Sequence, residues 1–463
     1  MGEKLGVSRR RFITGAAAAA TMGVASSALG AQRGAATGSR PNILLIVTDD
    51  HPKQTDWAMQ ETLSWLGEHG ITYANGHCTT PLCAPSRASI FSGRYAHNHG
   101  VRSNLYPHNL DQSTTVQSYL RLAGYRTGLF GKYLNTWSIQ DSPPHFDEWA
   151  MLQEGYLRAT FNINGTVQQI NRYTTTVIRN RALRFIEEAA KDPRPWFAYV
   201  APYAPHKPNV PARRHAQTAV PPWSGRPSVF ETDKSDKPPY VQASNHTLAE
   251  GQAARQRQLR SLLSLDDTMK TFRNKLAAVG QLNNTLVLYV GDNGRLWGDH
   301  GRLAKGVPYR PAHEVPFYLS WPAGGLAGGT VDNHLVANID IAPTILDAAG
   351  VTPDTPQDGQ SLLSTHSRDR LLTEWWAEGA VNGGPPSWAS SINTTRQYVE
   401  YYDLKTDAAG RAAGTGTVLF REYYDLVDDP YQLNNLLYKS TAATERALGI
   451  AALSRQLAAD RAA

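Results

Sequence analysis

PNILLIVTDDH, residues 41–51, is the part of the sequence that says most about the fold, since a run of apolar side chains leads into two adjacent aspartates. A strand that is apolar on both faces is typical of a parallel sheet covered by helices on each side. Its end, at Asp49 and Asp50, lies where open α/β sheets bind ligands. The two carboxylates repel each other, and a hard cation held by oxygen atoms is the usual remedy. A solvated turn is the alternative for such a pair taken alone.

Strands and helices alternate along most of the remaining chain. Strands are predicted over residues 125–131, 196–200, 285–290 and 317–321, and helices over residues 114–124, 178–189 and 254–279. This alternation predicts an α/β protein whose sheet is covered by helices. Residues 209–245 are rich in proline, serine and charged residues, and we expect a surface excursion that could cover a binding site.

A second group of oxygen ligands follows the strand at residues 285–290. There the sequence reads Gly291-Asp292-Asn293-Gly294, so a carboxylate and an amide again stand at a strand end. Together with Asp49 and Asp50 they make a donor set composed of oxygen atoms. Such a set favours calcium or magnesium over zinc, which prefers cysteine and histidine.

The stretch CAPSR, residues 83–87, predicts the start of a helix, because proline fits the first helical turn, where its missing N–H costs nothing. Helix N-termini favour anions, and Arg87, one turn on, adds a planar fork of donors. The pattern therefore indicates an oxyanion site beside the sulfur of Cys83. A buried cysteine, or a Cys78–Cys83 disulfide in an exported chain, is the structural alternative.

These five residues resemble the C-x-P-S-R signature of the sulfatases, in which the cysteine is oxidised to formylglycine. The resemblance implies that the hydrated aldehyde at Cys83 is the nucleophile. It also implies that Asp49, Asp50, Asp292, Asn293 and Cys83 itself surround one divalent cation, Ca²⁺ before Mg²⁺. The implied fold is alkaline phosphatase-like: a large mixed, mostly parallel sheet sandwiched by helices, with a small C-terminal antiparallel sheet.

Three further elements resemble anion-binding elements of the family: GKY at Lys132, APHKP at His206 and RLAKG at Lys305. The resemblance implies that both lysines and Arg87 contact the sulfate. It implies that His206 also contacts it, and that His206 or Lys305 protonates the leaving oxygen, which an imidazole can do near neutral pH. Many members carry a histidine at the position of Leu134, so its task would pass to Asn135 or to water.

GKYLN at residues 131–135 and GRYAHNHGV at residues 93–101 look most like the glucosamine-6-sulfatase branch. We therefore expect hydrolysis of a sulfate ester, either of a sulfated carbohydrate similar to N-acetylglucosamine-6-sulfate or of an aryl sulfate. Two alternatives stay open: a phosphonate or phosphate ester hydrolase of the same superfamily, and an inactive relative that binds sulfated glycans. His97, His99 and His300 are interpreted as structural.

The chain divides into four predicted segments. Residues 1–31 resemble a twin-arginine signal peptide, with SRRRFI at residues 8–13 before an alanine-rich stretch. Residues 32–40 form a flexible lead-in, residues 41–370 a catalytic domain and residues 371–463 a small C-terminal subdomain with a terminal helix. The expected partners are a sulfated substrate, a formylglycine-generating enzyme before export, and the twin-arginine translocase. The expected location is the bacterial periplasm or the exterior.

Composition excludes several other classes of protein. Of the 463 residues, 41% are hydrophobic and 19% charged, as in an ordinary globular protein. The formal charge of +6 is partly carried by the first 31 residues, and the remaining basic residues are scattered, which argues against nucleic acid binding. After the N-terminus we expect no membrane span.

Overall fold

The computed structural model describes residues 40–364, 368–377, 384–406 and 412–463. The predicted signal peptide, residues 1–31, lies outside these residues, as does the lead-in apart from Arg40. From Arg40 onward the described chain forms one compact unit. None of its described helices is both long and apolar enough to cross a membrane.

Ten strands of the described chain form the main sheet, and they lie in the order β10-β2-β9-β8-β1-β7-β3-β4-β5-β6. In chain order they are β1 Asn42–Thr48, β2 Ile71–His77, β3 Arg126–Lys132, β4 Glu148–Leu152, β5 Ala159–Ile163, β6 Thr166–Ile170, β7 Trp196–Ala201, β8 Thr285–Gly291, β9 Phe317–Ser320 and β10 Thr330–Ala337. The centre, from β8 through β1, β7 and β3 to β4, is parallel. Strands β9, β5 and β6 pair antiparallel with their neighbours, so the sheet is mixed and mostly parallel, as predicted.

The register of the central strands brings their carboxyl ends to one edge of the sheet. Thr48 at the end of β1 pairs with Gly291 at the end of β8. On the other side of β1, strand β7 pairs in parallel with both β1 and β3, and Ala201 lies opposite Gly131. The segments that follow β1, β8, β3 and β7 therefore leave the sheet side by side, and these segments carry the predicted site residues.

The longer helices are α1 Cys83–Ser92, α2 Val116–Leu122, α3 Thr174–Ala189, α4 Leu248–Ala278, α5 Ile341–Ala349 and α6 Ile450–Asp460. Shorter helical segments occupy Gln60–Thr62, Ala96–His99, Pro239–Gln242, Arg310–His313 and Ala442–Ala447. Helix α4 begins six residues before the predicted position, because Thr247 and Glu250 form a capping box at its start.

Strand β1 explains the layering, because it is apolar on both faces and fully enclosed. Ile43, Leu45 and Val47 join one core with apolar residues of α1, α2 and α5. Leu44 and Ile46 face the other side and join a second core with apolar residues of α3 and α4. The sheet is thus sandwiched between two helical layers, as a two-sided apolar strand requires.

A separate antiparallel sheet follows in the order β11-β12-β13-β14, formed by Leu371–Trp375, Ser387–Ile392, Arg396–Thr406 and Ala412–Asp425. Leu453 and Leu457 of α6 pack in its apolar cluster. On its other side, buried Glu422 accepts hydrogen bonds from the hydroxyl groups of Tyr309 and Tyr401, at 3.0 and 2.7 Å. This network ties the small sheet to the segment that follows β8.

Candidate active site

Three carboxylates and one side-chain amide meet where β1 and β8 end. Asp49, Asp50, Asp292 and Asn293 are all fully buried. The Asp50 backbone N–H donates to Asp292 Oδ1 at 3.0 Å, and Asn293 Nδ2 donates to Asp50 Oδ1 at 2.8 Å. The structure therefore brings together the oxygen ligands that stand 242 positions apart in the sequence.

Asp50 adopts a left-handed backbone with φ of 57°, which is uncommon for a residue with a side chain. Hydrogen bonds hold it there. Its N–H is bound by Asp292, and its carbonyl accepts from Gln258 Nε2 of α4 at 2.9 Å. The long helix thus positions the backbone of Asp50, and through it the direction of the carboxylate.

Cys83 is the first residue of α1 and is 1% exposed. Its Sγ lies 3.5 Å from Asp49 Oδ1 and 2.8 Å from Lys305 Nζ. The next backbone N–H, that of Ala84, donates to Asn104 Oδ1 at 2.9 Å. Sulfur, carboxylate and ammonium therefore meet at the start of one helix, and neither Cys83 nor Cys78 is in a disulfide.

Arg87 lies one turn along α1 and is fully buried. Its Nε and one terminal nitrogen contact Asp292 Oδ2 at 3.0 and 2.9 Å. The other terminal nitrogen donates to the Tyr199 hydroxyl at 3.0 Å and to the Lys132 carbonyl at 3.2 Å. The guanidinium is therefore fixed in orientation by β7, β8 and the end of β3.

Lys132, Lys305 and His206 complete the group. Lys132 Nζ donates to Asp49 Oδ2 at 2.6 Å, and Lys305 Nζ contacts the Asp50 carboxylate and Asn293 Oδ1, the latter at 3.1 Å. His206 Nε2 lies 3.8 Å from Asp50 Oδ2 and its side chain is 20% exposed. All the predicted site residues thus lie in one cluster, with His206 at its solvent side.

Arg295 belongs to this cluster and was not predicted. Its terminal nitrogen lies 2.9 Å from Asp50 Oδ2. The sequence signal was its position directly after the Asp-Asn-Gly turn, where a basic residue can reach back to the same strand ends. Asn104, the partner of the Ala84 N–H, was also missed, because no local pattern marks its loop.

Four cationic side chains contact three carboxylates in this part of the described structure. Arg87 pairs with Asp292, Lys132 pairs with Asp49, and both of the remaining cations pair with Asp50. The cluster therefore carries one excess positive charge, before any contribution from His206. An enclosed positive site favours an anionic ligand.

Burial alone would raise the pKa values of the carboxyl groups, but the cations act against it. Burial is the largest single influence on Asp49 and Asp50, but the surrounding positive charges, led by Lys132 at Asp49 and by Lys305 at Asp50, together outweigh it and hold both pKa values well below their usual range. Asp292 differs, because burial and the charge of Asp49 raise its pKa. Burial also raises the pKa of the Cys83 thiol to about 12, so an unmodified thiol is protonated at neutral pH and is a poor nucleophile.

The donor set fits one hard divalent cation. Ligand atoms of Asp49, Asp50, Cys83 and His206 all lie within 4.8 Å of one another. The oxygens of Asp292 already accept from the Asp50 N–H and from Arg87, but a carboxylate oxygen can accept a second partner. The residues that would hold a cation are mainly oxygen donors, as calcium and magnesium require.

A cavity of about 450 Å³ opens beside Lys132 and His206. We call it the β3–β4 cavity, since its walls are residues 133–139 after β3 and residues 151–154 at the end of β4, with Asn104 and Tyr203. Leu134 and Asn135 both line it, and Leu134 also packs against the core. The segment expected to cover the site, residues 209–245, does not line this cavity.

The histidines interpreted as structural have partners outside the site. His97 Nδ1 lies 3.0 Å from Glu374 Oε1, and His300 Nδ1 lies 2.6 Å from Glu231 Oε2. His99 contacts the preceding helix α1, with its Nε2 at 3.1 Å from the Ser89 hydroxyl.

Sequence comparison places the chain among known proteins. A family model described as Sulfatase matches residues 41–351. An extracellular sulfatase Sulf-1 homologue of Caenorhabditis elegans is 33% identical over 349 residues, which is 70% of this chain and 49% of that protein. The N-acetylglucosamine-6-sulfatase of Capra hircus is 30% identical over 472 residues, which is 87% of this chain and 81% of the goat protein. The chain thus spans about half the length of the nematode relative.

Solved structures share the fold. One, a protein in complex with its substrate D-glucosamine-2-N,6-O-disulfate, has a TM-score of 0.78 at 21% identity and covers 91% of this chain and 98% of that chain. The phosphonate monoester hydrolase of Agrobacterium radiobacter has a TM-score of 0.70 at 21% identity, and the alignment covers 91% of this chain and 96% of the hydrolase. At these identities the likeness concerns the fold alone, and it confirms the predicted fold class.

Proposed function

The chain belongs to the sulfatase family, and on that premise we propose that it hydrolyses the sulfate ester of a sulfated amino sugar, with Cys83 converted to formylglycine. The single observation that carries this proposal is the position of Cys83. Its sulfur lies within reach of Lys305 and Asp49, inside a buried cluster with an excess of positive charge. A nucleophile at that atom would face an anion held by Arg87, Lys132 and Lys305.

Formylglycine at Cys83, as its hydrate, would supply the hydroxyl that attacks sulfur, and loss of the proton from its second hydroxyl would then release sulfate and restore the aldehyde. Arg87, Lys132 and Lys305 hold the non-bridging oxygens and stabilise the charge that develops on them. Their rigid ion pairs keep these donors oriented before the substrate arrives.

His206 donates the proton to the leaving alcohol oxygen through Nε2. Its Nδ1 lies 2.6 Å from the Lys207 carbonyl, which orients the ring and turns Nε2 toward the cluster. As the most exposed member of the group, it can exchange its proton with solvent between turnovers.

One divalent cation, calcium before magnesium, would be held by Asp49, Asp50, Asp292 and Asn293, with the modified Cys83 beside them. It would supply positive charge that makes the attacking hydroxyl more acidic. The lack of a cysteine and histidine quartet among these residues supports an oxygen-preferring metal.

The substrate class rests on the relatives and on the cavity. A relative 30% identical over most of both chains is an N-acetylglucosamine-6-sulfatase, and a structural neighbour holds a sulfated glucosamine. The β3–β4 cavity has the size of pockets that hold small molecules, about 300–1,000 Å³. Asn135, on its wall, would replace the histidine missing at residue 134.

Export and domain organisation complete the proposal. We propose that residues 1–31 direct export by the twin-arginine route, after a formylglycine-generating enzyme has acted in the cytoplasm, and that the enzyme works in the periplasm or outside the cell. The relatives described as extracellular sulfatases support an exported enzyme. We propose residues 41–370 as the catalytic domain and 371–463 as the C-terminal subdomain, since the second sheet begins at Leu371.

The test combines mass spectrometry with kinetics. The protein is produced together with a formylglycine-generating enzyme, and the mass of the peptide that contains Cys83 is measured. Release of sulfate from N-acetylglucosamine-6-sulfate is then measured for the wild type and for Cys83→Ala. We expect the mass of the aldehyde and activity that Cys83→Ala abolishes. Cys78→Ala serves as the matched control. Faster turnover of an aryl phosphonate than of an aryl sulfate would instead favour the phosphonate hydrolases.

A further inference from the structure

The two walls of the β3–β4 cavity come from neighbouring parallel strands. Lys132 at the end of β3 pairs with Leu152 at the end of β4. The segments after both strands therefore leave the sheet together and enclose a space beside Lys132 and His206. An alcohol attached to a sulfate held beside Lys132 and His206 would extend into this space, because both residues line it.

The cavity wall is suited to an uncharged ring with hydroxyl groups. Trp137 is held by two aromatic neighbours, His108 at 4.5 Å and Tyr133 at 5.1 Å between ring centroids. Beside it lie the neutral polar side chains of Asn135 and Gln153. A fixed aromatic surface with polar groups around it is the usual way to bind a small polar molecule.

Glu154 is the one negative charge among the residues that line this cavity. It is exposed, and no salt bridge to it occurs in the described part of the chain. Glu154 lines the same cavity as Tyr203, whose ring lies 5.9 Å from Lys132 Nζ. Burial and the charge of Asp49 raise the pKa of Tyr203 against the charge of Lys132, and the charge of Glu154 adds to that rise. An unpaired carboxylate beside a site for an anion repels any second anion that the ligand carries.

We propose that the β3–β4 cavity is the subsite for the leaving alcohol, and that Glu154 determines specificity by disfavouring leaving groups with a second negative charge. The preferred substrate is then a singly sulfated sugar whose other substituents are neutral or cationic. N-sulfated and uronate-bearing neighbours are disfavoured. This inference rests on the proposed function, since it assigns the substrate class of the same site.

The test measures sulfate release from three substrates: N-acetylglucosamine-6-sulfate, glucosamine-6-sulfate and glucosamine-2-N,6-O-disulfate. The quantity compared is the ratio of kcat/KM for the disulfate to that for the N-acetyl substrate. We expect Glu154→Gln to raise this ratio about fivefold and Glu154→Lys to raise it further, as an exposed charge at short range allows. The discrimination of the wild type should weaken at high salt, because salt screens exposed charges.

Glu68→Gln is the matched control, since Glu68 is exposed and does not line the cavity. It should leave the ratio unchanged. Ratios within twofold of the wild type for both Glu154 variants, with sulfate release intact, would overturn the role of Glu154 and leave the proposed function standing. No sulfate release from any of the three substrates or from an aryl sulfate would overturn the proposed function, and this assignment with it.

Discussion

Lys132 illustrates how a single side chain can serve both the resting site and the reaction. The residue is 5% exposed and its ammonium lies 2.6 Å from Asp49 Oδ2, so most of its charge is neutralised by one carboxylate. Burial is the largest single influence and opposes the charged form, but Asp49, Cys83 and Asp292 together outweigh it, so the pKa of Lys132 rises above its ordinary value. The lysine therefore stays cationic at any pH at which the enzyme works.

Replacing Lys132 with methionine tests its part in catalysis, since methionine keeps the length of the side chain without the charge. We expect kcat/KM for sulfate release to fall about 100-fold to 1,000-fold, the cost of losing one positioned donor to a developing anion. Steady-state kinetics measure kcat/KM, and a melting curve checks that the variant is folded. Lys191→Met, an exposed and remote lysine, should match the wild type, and a loss below tenfold for Lys132→Met would contradict the assigned role.

Metal binding should stabilise the folded protein through Asp50. After chelation, added Ca²⁺ is expected to raise Tm, because a ligand bound to the native state alone adds about 2.7 kcal/mol at 100 times its Kd. Asp50→Asn should lose most of that shift in Tm. It should also lose most of the bound metal, which elemental mass spectrometry measures. The control is Asp192→Asn at the surface. An unchanged Tm of the wild type with Ca²⁺ and Mg²⁺ would count against a cation here.

Helix α4 positions the site through contacts made by its N-terminal part. Gln258 of this helix accepts from Trp297 Nε1 at 2.5 Å and donates to the Asp50 carbonyl at 2.9 Å. Gly251, in its second turn, packs so closely that a Cβ there would lie 1.9 Å from the Trp297 carbonyl oxygen. Glycine is thus required by the close approach of two backbones.

Gly251→Ala should therefore destabilise the protein although alanine is the better helix former. Alanine gains about 0.8–1.0 kcal/mol of helix propensity, whereas overpacking against a buried backbone costs about 1–3 kcal/mol. We expect a lower Tm by calorimetry and reduced sulfate release, since α4 would shift at Gln258. Arg257→Ala, at an exposed position of the same helix, should change Tm little. A Tm raised by Gly251→Ala would mean that the two backbones separate without cost.

Buried histidines should make the whole molecule sensitive to acid. Burial lowers the pKa of His99 to about 3 and that of His313 to about 4, and it lowers the pKa of His77 as well. His77 and His313 face each other at 3.0 Å, with Lys53, Arg310 and Glu314 nearby. Glu374, His97 and Arg94 lie near His99. These imidazoles are therefore neutral in the native protein at neutral pH.

Stability should fall as the pH drops from 6.5 toward 5. The unfolded chain binds protons at an ordinary histidine pKa of about 6.5, whereas the folded chain does not, so each group costs up to about 1.4 kcal/mol per pH unit in that window. Melting curves between pH 7.5 and 5 measure the slope. His99→Gln should make it shallower, while His334→Gln at the surface should not. Equal slopes for all three proteins would contradict the assignment.

Local patterns in the sequence were enough to identify the family and the α/β class, and they predicted a set of site residues that the fold brings into one cluster. A strand that is apolar on both faces indicates a parallel sheet with helices on each side, and short motifs at the strand ends carry the predicted metal and anion ligands. The same reasoning missed strands β2, β4, β5, β6, β10 and β12, whose mixed composition gives no clear period and whose pairing depends on distant neighbours.

Which charges meet, and where a cavity opens beside them, depends on the tertiary fold. Arg295 reaches Asp50 because β8 lies beside β1, and the β3–β4 cavity exists because two loops leave neighbouring strands together. Neither fact is local: strand order and register set distances between residues far apart in the chain, and no spacing along the sequence encodes them. Residues 209–245, which the sequence suggested as a cover for the site, do not line the cavity, and their sequence alone could not show where they pack.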